Sequence, residues 1–270
     1  MNSDEHQKEV GSAPEFLVCA SLLPALRERY ASTFDLLEIP EVVRIDERAG
    51  GHGTVFFRRY SGRTYNDKWN EGIGGAMMGT ELSEEMVRVI GDFRRIDLGW
   101  VLAHPVGRRV GESAFNVDQW LTSFRSQNLT LAGWGFSDTE LRCAEEIASR
   151  GFELQERILS NGDFYPRNLI RTDGRVVVVD WGHWDGNRVC FLDYIPNIVA
   201  FAFNHMWNND EWQHRFLRHA RETLGVKVED LRRGILMKAF EQAIYWKDLP
   251  YWPPQVSHFR MALENKLPLD

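Results

Sequence analysis

SNGDFYPRNLI, residues 160–170, leads through a short turn into VVVVDWG, residues 176–182. Asp163 is followed five positions later by Asn168, and Asp180 closes a run of four valines. Pro166 stiffens the segment between the first two residues. Leu169–Ile170, the turn Arg171-Thr172-Asp173-Gly174 and the run Arg175 to Val179 read as a hairpin. Taken singly, Asn161-Gly162-Asp163 is an ordinary turn and Asn168 an ordinary turn or cap residue. Asp180 is different, because a carboxylate at the end of a buried strand needs a partner. In this order and at this spacing the three read as one site.

Phosphoryl transfer needs few parts. One carboxylate orients an acceptor hydroxyl and takes its proton, oxygen ligands hold magnesium against the nucleotide phosphates, and a cation positions the phosphates that stay behind. An asparagine carbonyl and an aspartate are hard oxygen donors of the kind magnesium prefers. Asp163 supplies the base, Asn168 and Asp180 the metal ligands, and the valines give Asp180 a rigid support. The spacing D-x-x-x-x-N also occurs in protein kinases, where the second aspartate is followed by Phe-Gly. Here it is followed by Trp181-Gly182.

With these residues the chain resembles the aminoglycoside phosphotransferase and choline kinase branch of the protein kinase-like superfamily. Members of that branch resemble H-G-D-x-x-x-x-N, then a hairpin, then I-D-W or I-D-F. The counterparts here are Asn161-Gly162-Asp163 through Asn168, then Val179-Asp180-Trp181. The resemblance implies an α+β, bilobal protein kinase-like fold with a small sheet-rich N-lobe and a mostly helical C-lobe. It implies ATP and Mg2+ as cofactors and a small-molecule hydroxyl as acceptor. Asp163 would be the catalytic base, Asn168 and Asp180 the magnesium ligands, and Asp193 a brace for the catalytic loop. His104-Pro105-Val106-Gly107 looks like the hinge where a nucleotide base meets backbone groups, so His104 and Val106 are assigned to nucleotide binding. The lobes follow as 15–104 and 105–270.

Three departures accompany the resemblance. Asn161 stands where the branch has histidine, a structural hydrogen-bonding position. The strand Thr54 to Tyr60 has no lysine, so Arg58 aligns as the phosphate cation and Glu71 as its helical partner. Alternation along a strand puts Arg58 and Arg59 on opposite faces, and arginine is a wider phosphate ligand than lysine. Gly50-Gly51-His52-Gly53 fits a hairpin turn better than a glycine-rich phosphate cradle.

Elsewhere the pattern predicts a loose tail over residues 1–14 and a helix from Phe16 to Ala31 bent near Pro24. It predicts strands at Phe34–Ile39, Val42–Glu47, Thr54–Tyr60 and Gly99–His104, and a glycine-diluted helix over 66–79 with a firmer one capped by Ser83. Ser137-Asp138-Thr139-Glu140 is a capping box opening a helix to Ser149. Helices follow over Phe191–Phe203, Glu211–Leu224 and Val228–Tyr245.

The 270 residues, 43% hydrophobic and 26% charged, make an ordinary globular chain. A net charge of -7 without a basic run argues against a nucleic-acid partner. No apolar run reaches membrane-spanning length, and the N-terminus lacks signal-peptide character, so the expected compartment is the cytosol. Three cysteines without metal-like spacing argue against a disulfide framework or zinc site. Two alternatives to the kinase reading remain open: a degenerate kinase-like fold that binds nucleotide or a partner without turnover, and a transferase with an altered nucleotide-binding mode.

Overall fold

The computed structural model describes residues 5–10, 13–48, 52–65, 76–112, 115–182, 192–206, 210–249 and 252–269. The chain divides into two compact units, 1–114 with 157–193 and 115–156 with 194–270. The segment carrying Asp163, Asn168 and Asp180 thus groups with the N-terminal residues.

In the first unit, β1 (Glu5–Val10), β3 (Val42–Arg48) and β4 (His52–Arg58) form one antiparallel sheet in the order β1-β4-β3. β4 is central, which is why Val55 and Phe56 are buried while β3 is polar and exposed at the edge. The expected loose tail is therefore partly a strand, because the edge of β4 gives Glu5–Val10 a full antiparallel register. A second sheet has the order β2-β8-β7-β5, from β2 (Leu37–Glu38), β8 (Val176–Val178), β7 (Leu169–Arg171) and β5 (Arg63–Thr64). β8 lies between β2 and β7, so all three of its valines are buried. The expected hairpin over 169–179 is present, and it pairs with short strands contributed by the N-terminal residues.

Several local expectations change. The strand proposed for Phe34–Ile39 shrinks to β2, because the Asp92 carboxylate accepts from the backbone N–H groups of Asp35, Leu36 and Leu37 at 3.1, 2.7 and 2.8 Å. The N-terminal helix is α1 (Ala13–Leu17), a π turn over Val18–Leu22, and α2 (Leu23–Tyr30) with Pro24 in its first turn. Of the helix proposed over 66–79, residues 66–75 lie outside the described residues. α3 (Ala76–Phe93) runs through Ser83, which is buried within it and does not cap it. The strand proposed at Gly99–His104 is a helix, α4 (Leu98–Ala103). Its cap explains the change: Asp97 Oδ1 accepts from the N–H groups of Gly99 and Trp100 at 2.8 and 3.3 Å. α5 (Pro105–Glu112) follows directly. β6 (Arg157–Leu159) and β9 (Leu192–Tyr194) form a third, two-stranded sheet.

The second unit is helical: α6 (Val117–Ser126), α7 (Asn128–Gly133), α8 (Asp138–Ser149), α9 (Ile195–His205), α10 (Asp210–Leu224), α11 (Val228–Tyr245) and α12 (Trp252–Leu263). The capping box at Ser137 and Glu140 opens α8 as expected. Phe124, Phe240 and Phe259 pack as a ring cluster from α6, α11 and α12. Asp230, fully buried, takes the N–H groups of Glu153 and Leu154 and is paired with Arg233 at 3.3 Å. Among the described residues no helix is long and apolar enough to cross a membrane.

One buried group in this unit couples folding to pH. His258 on α12 is 4% exposed, and burial pushes its imidazole down to about 4 from 6.5. Its Nε2 lies 3.1 Å from Gln213 Nε2 and accepts from that amide in the neutral ring. The unfolded chain binds this proton more readily, so the contribution is complete above pH 6.5 and lost as pH falls through 4. Its size is about 3 kcal/mol. Urea titrations at the two ends of that window will show a smaller acid loss for His258→Met by about this amount; equal losses would assign the sensitivity to other groups.

Candidate active site

Asp163 leaves β6 through a loop whose geometry two amides control. Asn161 is fully buried, and its Nδ2 donates to the backbone oxygens of Asp163 and Val179 at 2.9 and 3.1 Å. It thereby ties the loop to the strand that delivers Asp180. Asn168 closes a single 3-10 turn, Pro166–Asn168. Its Nδ2 donates to Asp163 Oδ2 at 2.7 Å and to the Asp163 backbone oxygen at 3.0 Å. Its backbone oxygen accepts from Val179 N at 2.9 Å. Asp163 and Asn168 are both buried, and the carboxamide oxygen of Asn168 has no hydrogen-bond partner among the described residues.

Asp180 has φ of 59°, in the left-handed region. Aspartate is one of the few residues that tolerate this conformation, which is uncommon enough to ask what it serves. The next turn carries Trp181, buried and donating from Nε1 to Val178 O at 2.8 Å, and packed edge-on against Phe93. Gly182 lies close to the Glu15 carboxylate, which a Cβ at this position would meet at 2.7 Å and displace.

Asn168 and Asp180 line one cavity of about 430 Å³ together with Arg58, Arg59, Tyr60 and Phe57 at the end of β4, Cys19 and Pro40. The two arginines differ. Arg58 is paired with Glu41 at 3.3 Å, whereas Arg59 has no ion pair among the described residues. Tyr60 accepts from Glu41 N at 2.8 Å, and burial holds its phenol above the ordinary range. Glu71, assigned as the partner of Arg58, lies outside the described residues.

His104 and Val106 do not line this cavity. The backbone N–H of His104 donates to Trp100 and Val101 carbonyls, its oxygen accepts from Arg108 N, and Val106 N donates to His104 Nδ1 at 3.3 Å. The backbone groups a nucleotide base would use at a hinge are thus engaged in the junction of α4 and α5. Asp193 is buried in β9, two residues before α9. Cys19, Tyr60 and Glu41 carried no motif; they reach the site through tertiary packing.

Among the described residues no three His, Cys, Asp or Glu side chains form a metal-holding cluster. The donor set that does converge is one carboxamide and one carboxylate beside a cavity. That composition suits magnesium, which usually takes one or two protein oxygens and completes its shell with phosphate and water.

The topology is that of an α+β kinase-like fold, with a mixed sheet and helix N-terminal part and a mostly helical C-terminal part. Solved structures with a similar fold include aminoglycoside phosphotransferases. The GDP complex of aminoglycoside 2'-phosphotransferase-IIIa matches with a TM-score of 0.61 at 10% identity, over 98% of this chain and 87% of that one. Aminoglycoside phosphotransferase APH(4)-Ia matches at 0.59 and 14% identity, over 98% and 91%. A ternary complex of streptomycin, ATP and APH(2")-IIa matches at 0.59 and 14%, over 100% and 88%. No protein-family model and no curated protein sequence matches the chain.

Proposed function

We propose that the protein is a magnesium- and ATP-dependent phosphotransferase acting on a small-molecule hydroxyl. The observation that carries this reading is the common cavity of Asn168, Asp180 and two arginines, with Asp163 hydrogen-bonded to Asn168. Asp163 accepts the proton of the acceptor hydroxyl as that oxygen bonds to the γ-phosphorus and the bond to the β-phosphate oxygen breaks. Asn168 holds the Asp163 carboxylate in place and offers its carboxamide oxygen to the metal. Asp180 supplies the charged ligand. Magnesium, when bound, neutralises charge on the phosphates. Arg59, free of the carboxylate that occupies Arg58, is the better candidate for the phosphate cation than the Arg58 expected from strand alignment.

A second reading, a kinase-like fold that binds nucleotide or a partner without turnover, draws support from the engaged backbone groups at His104 and Val106. Calorimetric titration of ATP with magnesium, then with EDTA, tests the first reading. It expects magnesium-dependent binding, weakened about ten-fold by Arg59→Ala and little by Arg58→Ala. An acceptor screen of amino-alcohols and aminoglycosides, with products analysed for ADP or pyrophosphate, then separates phosphoryl from nucleotidyl transfer. Absence of binding at millimolar ATP favours the second reading.

A further inference from the structure

A second, more open cleft of about 710 Å³ is lined by the segment Arg58–Gly62. It shares Arg58, Arg59 and Tyr60 with the first cavity but contains neither Asn168 nor Asp180. Arg171 and Arg175, from the two ends of the β7–β8 hairpin turn, complete a set of four guanidinium groups. Glu38 and Asp173 are the acidic residues of the lining, so it carries an excess of two positive charges on a chain whose net charge is -7.

The four arginines are not equally available. Arg58 is paired with Glu41, and Arg171 with Glu85 at 3.0 Å and Glu81 at 3.3 Å. Glu38 is itself paired with Arg27 at 3.1 Å, which removes it as a counter-charge for the cleft. Arg175 donates from Nη1 to the neutral carbonyl of Phe34 at 2.6 Å, and neither it nor Arg59 has a carboxylate partner among the described residues. Two guanidinium groups from separate segments therefore border one cleft without an ion-paired carboxylate, Asp35 acting on Arg175 only through its longer-range charge. A fork of N–H donors matches phosphate oxygens in shape and charge, and the cleft has the size of a small-molecule site.

We propose that this cleft, with Arg175 as its own anchor and Arg59 shared with the first cavity, binds the phosphate group of a phosphorylated small molecule. The cleft contains none of the residues assigned to metal or base, and Arg175, which the first cavity lacks, is the cation it holds for itself.

Inorganic pyrophosphate, without magnesium, is the probe, titrated calorimetrically into the full chain. The expected result is one site, weakened about ten-fold by Arg175→Gln, largely kept by Arg175→Lys, and tightened by Asp173→Lys. Affinity unchanged in both Arg175→Gln and Asp173→Lys, or no binding at millimolar probe, overturns the site. Should Arg175→Gln fail to fold, Asp173→Lys decides alone, since that exposed turn residue supports nothing buried. Repeating the titration on the protein saturated with ATP and magnesium distinguishes the sources. Binding that persists, weakened only by the share of Arg59 that ATP takes, supports a separate phosphorylated ligand. Full displacement overturns the separate site and makes the cleft a seat for the nucleotide's own phosphates. Failure of ATP to bind leaves the variant titrations as the deciding measurement.

Discussion

Asp163→Asn will leave the protein folded and lower phosphoryl transfer by about a thousand-fold. The isosteric change separates chemistry from structure at this position. Asn168 Nδ2 donates both to Asp163 Oδ2 and to the Asp163 backbone oxygen, and an asparagine retains an acceptor oxygen for the first bond and the whole of the second. What it lacks is a carboxylate able to take the hydroxyl proton. Asp163→Ala removes the side-chain acceptor as well. It will show the same loss of turnover together with a melting temperature lower by several degrees, since a buried hydrogen bond to a charged group is worth about 1.5–3 kcal/mol. Steady-state rates with an acceptor from the screen, beside thermal melts, give both quantities. Turnover within ten-fold of the parent in a folded Asp163→Asn protein would remove Asp163 as the base. Turnover lost in step with the melting temperature would make the residue structural.

The parts legible in the sequence are those encoded over short distances. Asp163 and Asn168 are five residues apart across a loop stiffened by proline, and the hairpin that follows brings Asp180 back to them. Each step is a local rule: a turn composition, a buried valine run, a tight hairpin. The capping box at Ser137 and the striped helix Val228–Tyr245 were legible for the same reason. What was not legible depends on partners distant in sequence. Glu5–Val10 has no apolar alternation of its own and becomes a strand because β4 offers it an edge. The apolar run at Gly99–His104 is too short for periodicity to distinguish strand from helix, and the deciding residue, Asp97, lies outside it. The hinge expected at His104 and Val106 from the resemblance falls at the junction of α4 and α5, where Val106 N donates to His104 Nδ1. Arg58 illustrates the same limit: strand alternation identified two arginines, but only the packing of Glu41 shows which of them is already neutralised.

Asp180→Asn will abolish the magnesium dependence of nucleotide binding while the fold persists. Asparagine is the informative replacement because of the backbone. At φ of 59° most side chains are strained, and asparagine shares with aspartate an unusual tolerance of this region. The substitution keeps the shape, removes one negative charge from the cavity and leaves Asn168 as a neutral oxygen donor. A divalent ion held by one carboxamide and by phosphates alone binds more weakly, and the expected loss in affinity for ATP with magnesium is about 10–100-fold. In EDTA the parent and the variant will bind ATP alike, or the variant slightly better, because the carboxylate repels the phosphates when no metal lies between them. The sign of that second comparison carries the argument. A residue that served only to brace the turn would weaken binding equally with and without magnesium. A metal ligand weakens the first and spares the second. Asp180→Gly completes the set: it relaxes the left-handed backbone, and its magnesium dependence should be lost as in Asp180→Asn. Retention of full magnesium dependence in both variants would place the metal elsewhere and, with it, the phosphates that Arg59 is proposed to meet.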